Sequence, residues 1–165
     1  MNTLNTAYPV IFDRLQQACR HHFGSSTAHD GSPFNGELEL SALPHGLGFQ
    51  LSYQAEDKQR QLLHTEHSLI ALNPEGQLCL WNLNSNLQGL HSHVLSAQET
   101  LDEGGLLLHF DYGQPGSEGF RERVSLGLYR DGGVSYTYVW GLPGEAMAER
   151  SAVRMYPTGK GKEGL

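Results

Sequence analysis

The segment Leu63-His64-Thr65-Glu66-His67 carries the residue pattern most suited to chemistry. In an extended chain alternate side chains share a face, so His64 and Glu66 stand side by side with Cβ atoms roughly 7 Å apart. A carboxylate at that distance raises the proton affinity of an imidazole, which suits a general base or a polar anchor. A polar cross-strand contact is the plainer account of the same pair. His91 and His93 have the same spacing; with His64 as a third ligand they could chelate a metal or take part in haem binding. Arg121, Arg123, Tyr129, Tyr136, Tyr138 and Trp140 form a second group, suited either to an anionic or aromatic ligand or to arginines lying over rings on a solvent face.

Other chemistries find no support. There is no Gly-x-Ser-x-Gly elbow, P-loop or dinucleotide fingerprint. Cys19 and Cys79 form no CxxC motif and read as free buried thiols. His21 and His22 are expected to close a helix, where positive charge is favourable. No residue is assigned to catalysis, and no cofactor or metal is assigned.

These groups need elements to position them. Leu4, Tyr8, Ile11, Leu15, Cys19 and His22 recur at three-to-four spacing, predicting a helix over about 4–23, or one beginning near Pro9. From residue 34 the period becomes two, and strands are expected at about 34–40, 47–53, 61–72, 77–83, 87–97, 105–112, 120–130, 133–141 and 151–156. Asp131-Gly132 marks a tight hairpin. If Asn73–Gly76 form a four-residue loop, Leu72 pairs with Gln77, and His64, Glu66, Ser68 and Ile70 share a face with Cys79, Trp81, His91 and His93. If the Asp131-Gly132 turn pairs Tyr129 with Val134, then Arg121 and Arg123 share a face with Tyr136, Tyr138 and Trp140. A meander of this kind is best satisfied by closure, which removes exposed edges. The expectation is therefore a mainly β, closed antiparallel up-and-down barrel of nine or ten strands after one N-terminal helix. It forms a single domain over 1–165, with the barrel at about 34–157 and a frayed tail at 158–165.

With 165 residues, 38% of them hydrophobic, the chain has enough apolar material for one core. The net charge of −7 argues against nucleic acid. No apolar run is long enough to span a membrane, and the N-terminus lacks the basic and apolar regions of a secretory signal, so a cytoplasmic location is expected.

The chain resembles the calycin-type small barrels, the group of lipocalins, fatty-acid-binding proteins and nitrobindin-like proteins. Three features carry the resemblance. One is the order of a leading helix and then a meander. Another is Leu63-His64-Thr65-Glu66-His67, similar to the nitrobindin-like His-x-Glu strand whose histidine faces the pocket. The third is Arg154-Met155-Tyr156, similar to the Arg-x-Tyr pair that holds the ligand carboxylate in fatty-acid-binding proteins. The segment Ala148–Arg154 has no histidine at the place of the nitrobindin-like haem ligand. The resemblance implies a non-enzymatic binding protein for a small hydrophobic molecule, with or without a carboxylate, acting as monomer or homodimer. Arg154 and Tyr156 would anchor the charge, and His64, Glu66, Trp81, His91, Arg123, Tyr136 and Tyr138 would line the wall. The alternatives are haem or metal binding through His64, His91 and His93, and an enzyme using His64 and Glu66 as an acid–base pair.

Overall fold

The computed structural model describes residues 3–114, 116 and 118–158. A short helix α1 (Leu4–Ala7) leads into α2 (Pro9–Gln17), and ten strands follow: β1 (His21–Thr27), β2 (Pro33–Ala42), β3 (Gly48–Glu56), β4 (Leu62–Leu72), β5 (Leu78–Asn84), β6 (Leu87–Thr100), β7 (Leu106–Tyr112), β8 (Arg121–Leu128), β9 (Val134–Gly141) and β10 (Ala148–Pro157). Every strand pairs antiparallel with its sequence neighbour, and β1 also pairs with β10, closing the barrel. The expected tail falls largely outside the described residues.

The helix is shorter than its periodicity suggests. Pro9 stands at the start of α2, where its missing N–H costs nothing. The helix ends at Gln17, and His21 and His22 open β1, opposite Glu39 and Leu38. The expected helix-capping role of these histidines is thereby corrected. His22 fits helical spacing from Cys19 but equally fits the inward face of a strand, and the pairing with β2 decides between the two. Ile11 and Leu15 bury the apolar stripe of α2, and Phe12 packs on Phe49 with ring centroids 5.4 Å apart. Arg14 donates to the carbonyl of Gly104 at 2.9 Å, tying the helix over one end of the barrel.

Five hairpins share one turn. In the loops 28–32, 57–61, 73–77, 101–105 and 129–133 the first residue's N–H bonds the carbonyl four residues on. The fourth residue of each loop (Gly31, Arg60, Gly76, Gly104 and Gly132) has positive φ and donates to the first residue's carbonyl. This is the turn followed by a left-handed residue that builds a bulged hairpin, and glycine suits it because it carries no Cβ. The strands therefore resume one residue later than a four-residue loop allows. Leu72 pairs with Leu78, not Gln77, and Val134 with Leu128, not Tyr129. A one-residue slip exchanges the two faces of a strand, with direct consequences for the expected site.

The interior divides into two halves. Toward the helix end it is filled by Leu38, Leu40, Phe49, Leu51, Ile70, Leu78, Leu80, Leu108, Leu126 and Met155, all nearly or fully buried. Each such side chain contributes roughly 1.5–3 kcal/mol by leaving water. Toward the other end the same inward positions hold Tyr53, His64, Glu66, Ser68, Asn82, Asn84, His93, Glu122, Tyr136 and Tyr138.

Candidate functional site

Strand β4 contributes His64, Glu66 and Ser68 to the polar half, in the alternation expected of them. Glu66 is fully buried, and the His64 side chain retains 14% exposure, so His64 is the edge at which solvent meets the site. The adjacent hairpin feeds Glu66 through a directed chain of bonds. The N–H groups of Asn86 and Leu87 donate to Asn84 Oδ1, and Asn84 Nδ2 donates to Asn82 Oδ1 at 2.5 Å. Asn82 Nδ2 then donates to Glu66 Oε2 at 2.6 Å and to Ser68 Oγ at 2.9 Å. Each link polarises the next, and the chain delivers positive dipole to the carboxylate.

The second carboxylate, Glu122 on β8, is also fully buried. His93 Nε2 donates to its Oε1 at 2.9 Å, and the Tyr138 hydroxyl donates to its Oε2 at 2.6 Å. Glu122 is thus satisfied on both oxygens. Glu66 is not: its Oε1 lies 3.7 Å from His64 Nε2, beyond hydrogen-bond length. Three buried atoms of this region, Glu66 Oε1, His64 Nε2 and the Tyr136 hydroxyl, have no protein hydrogen-bond partner. Tyr136 is nearly sealed, and burial, then the charge and close approach of the Glu66 carboxylate, then the Glu122 charge hold its phenol well above the ordinary tyrosine range. Burial and Glu66 push Tyr53 upward, and burial and Glu122 push Tyr138 upward. All three phenols therefore stay protonated.

Aromatic rings pack against one another in the same half of the barrel. Tyr53 and Tyr136 lie 4.6 Å apart by ring centroid, His64 and Tyr138 5.5 Å, and Tyr53 and His64 6.3 Å. Arginine and lysine do not enter this set: among the described residues, the only salt-bridge partners of Glu66 and Glu122 are His64 and His93.

The barrel therefore brings together four of the residues expected to line the wall: His64, Glu66, Tyr136 and Tyr138. Others lie elsewhere. Trp81 pairs with Leu69 and Ser92 on the outer wall, beside an apolar groove of about 640 Å³ that also takes in Leu83 and Leu90. Arg123 faces outward and forks onto Asp111, at 2.6 Å and 2.8 Å. Burial works against the Asp111 charge, but the bonds from Arg123 and Ser96 and the charges of Arg123 and His109 leave its pKa below the usual value. Arg154 also faces outward, pairing with Asp131 at 2.9 Å and stacking 3.1 Å from the centre of the Tyr129 ring, while Tyr156 is exposed. The expected inward placement of Trp81, Arg123, Arg154 and Tyr156 is corrected. The bulged turns moved Trp81 and Arg123 to the outer face, and Val153 and Met155 take the inward places on β10.

His91 sits on the inward side at the rim, half-buried, with its Nε2 on the Gln88 carbonyl and its ring edge-on to Tyr112 at 4.7 Å. His93 points to Glu122. The three histidines do not converge, and no group of three or more metal-ligating side chains occurs among the described residues. Cys19 and Cys79 are free, and burial raises both thiols, which suppresses the nucleophilic thiolate. At the rim beside Glu122 a cavity of about 320 Å³ is lined by Tyr112, Arg121, Arg123, Val139 and Met147 among others.

Sequence reasoning missed Tyr53, Asn82, Asn84 and Glu122, and weighed His93 only as a metal ligand. A signal existed for Glu122, which is in phase with Val124, Leu126 and Leu128. The in-phase pair Asn82 and Asn84 continues the alternation of Leu78 and Leu80.

No protein-family model matches the chain, and no curated protein matches it. Among solved structures it is similar to the crystal structure of Rv2717c from M. tuberculosis, with a TM-score of 0.63 over 91% of this chain and 98% of that one, at 12% sequence identity. At that identity the likeness is one of fold, and it supports the barrel.

Proposed function

We propose that the protein is a non-enzymatic binding protein that takes a small ligand head-first into the polar half of its barrel. The observation that carries this reading is the grouping of Glu66 Oε1, His64 Nε2 and the Tyr136 hydroxyl as buried, unpartnered polar atoms. A buried polar group without a partner costs about 1–3 kcal/mol, and a charged one more. Three around one carboxylate are a cost that a bound ligand would offset. The aromatic rings of Tyr53, Tyr136 and Tyr138 supply apolar wall, in keeping with pockets that set a few polar groups among apolar surfaces. The apolar half is packed, so the ligand would reach only to mid-barrel, and any hydrophobic tail would point outward. The calycin resemblance fits this use of the barrel. The Arg-x-Tyr carboxylate anchor does not, because Arg154 is engaged by Asp131 and Tyr129 on the outer wall.

The test is chemical-shift mapping with a set of small aromatic and aliphatic fragments. Joint perturbation of His64, Tyr53, Tyr136 and Tyr138 is expected. Fragments that move only the outer-wall residues Leu69, Leu83 and Leu90, or that move nothing, overturn the reading.

A further inference from the structure

We infer that the ligand head is a primary ammonium group, with Glu66 as its counter-ion. This inference rests on the binding reading above. The two glutamates in the polar half are treated differently by the fold. Glu122 receives a donor on each oxygen, whereas Glu66 receives donors on Oε2 alone. Both amide hydrogens of Asn82 are already spent, one on Glu66 Oε2 and one on Ser68. Glu66 Oε1 is therefore an acceptor with no donor in hydrogen-bond geometry, on a side chain that is itself fully buried. Leaving a charge in that state is expensive, and a matching cation offsets the cost.

The other two unpartnered atoms fit the same head group. Tyr136 Oη can accept a hydrogen bond. His64 Nε2 accepts when Nδ1 carries the ring proton and donates it to Ser85 Oγ, which lies 3.1 Å away. An ammonium offers three N–H donors to these three acceptors. The rings of Tyr53, Tyr136 and Tyr138 cluster in this half of the barrel, and a π face within reach attracts a cation, more strongly where water is excluded. A carboxylate head would instead meet two buried glutamates and no arginine or lysine. The net charge of −7 also favours approach by a cation. Beyond the head, exposed Leu62, Leu142 and Met147 stand at the open end of the barrel, where an apolar tail would emerge.

The experiment compares hexylamine, hexanol and hexanoate, which share a tail and differ in the head, by calorimetry and by shift mapping at neutral pH. Hexylamine is expected to bind at least about tenfold more tightly than the other two. Glu66→Gln, which keeps shape and removes charge, should abolish that preference. Should Glu66→Gln fail to fold, Tyr136→Phe removes one acceptor from a site that is otherwise unchanged and should weaken hexylamine several-fold. Equal or tighter binding of hexanol or hexanoate overturns the ammonium assignment, as does hexylamine affinity unchanged in either folded variant. If fragments perturb the polar half while hexylamine does not, the assignment falls and the binding reading stands. If no compound perturbs it, both fall.

Discussion

Tyr138 donates its hydroxyl to Glu122 Oε2 at 2.6 Å, diagonally across the β8–β9 pair. Tyr136 precedes it by one inward position on β9, is more deeply buried, and has no partner for its hydroxyl within hydrogen-bond geometry. The two phenols should therefore respond unequally to the same substitution. Tyr138→Phe strips a charge-assisted bond from a buried carboxylate and is expected to cost about 1.5–3 kcal/mol. Tyr136→Phe removes a hydroxyl that makes no well-formed bond and only approaches Glu66, and should cost clearly less in the ligand-free protein. Urea unfolding of both variants checks this, and equal losses would contradict the hydrogen-bond assignment.

The contrast between these tyrosines also shows how far the sequence could be read. Period-two alternation exposed nearly every strand, because an inward and an outward face impose different polarity on neighbouring residues. His64 and Glu66 were legible together, since spacing along one strand needs no turn geometry. What failed was the transfer of faces across turns. Gly76 and Gly132 each add a left-handed residue to their loops, and that one residue exchanged Trp81 for Asn82 and Arg123 for Glu122. The placement of His91 and His93 survived because the slip at 73–77 was cancelled by another at the next turn. Strand β1 was hidden by the helical spacing of His22 and the glycine-serine run after it, whose pairing depends on β2 and β10 rather than on its own composition.

His22 gives the fold a pH dependence. It is fully buried, and its Nε2 meets the Gly132 carbonyl at 3.2 Å. Burial lowers its pKa below the ordinary histidine value of about 6.5, outweighing the bond to Gly132. The unfolded chain therefore takes up this proton first as pH falls. The His22 contribution is neutral well above pH 6.5 and becomes destabilising as pH drops toward the lowered folded value. Stability compared at pH 7.5 and pH 5 should fall more for the native protein than for His22→Gln, which keeps a donor toward Gly132. The difference is bounded by about 1.4 kcal/mol per pH unit. An equal fall in both proteins would show that His22 is not the group responsible.

Arg154 offers a test of the corrected geometry. Its guanidinium pairs with Asp131 and lies over the rings of Tyr129 and Tyr156 on the outer wall. Asp131 is largely exposed, so water screens the ion pair. Arg154→Ala should cost roughly 1–2 kcal/mol, part of it lost in high salt. It should leave fragment binding in the polar half unaltered. A large loss of binding in a folded Arg154→Ala protein would return the arginine to the ligand and contradict its outward placement.

The seam that closes the barrel depends on Gly24. A Cβ built there would stand 2.0 Å from the Arg154 carbonyl oxygen and 3.0 Å from the Met155 Cα, both backbone atoms of β10. Backbone cannot swing aside as a flexible side chain does, so Gly24→Ala must push β1 away from β10. Only His22 and Phe23 are in register with β10, so the junction has little further pairing to absorb the shift. Overpacking of this kind costs about 1–3 kcal/mol or more, and in a chain of this size each kcal/mol lowers Tm by roughly 2–4 °C. Gly31→Ala is the control for lost glycine entropy and strain, because its Cβ meets nothing within 4 Å although its φ is +83°. Gly24→Ala should melt lower than Gly31→Ala and should speed amide exchange in β1 and β10 selectively. Exchange that rises evenly across all ten strands would mean that the β1–β10 junction is not where the barrel opens.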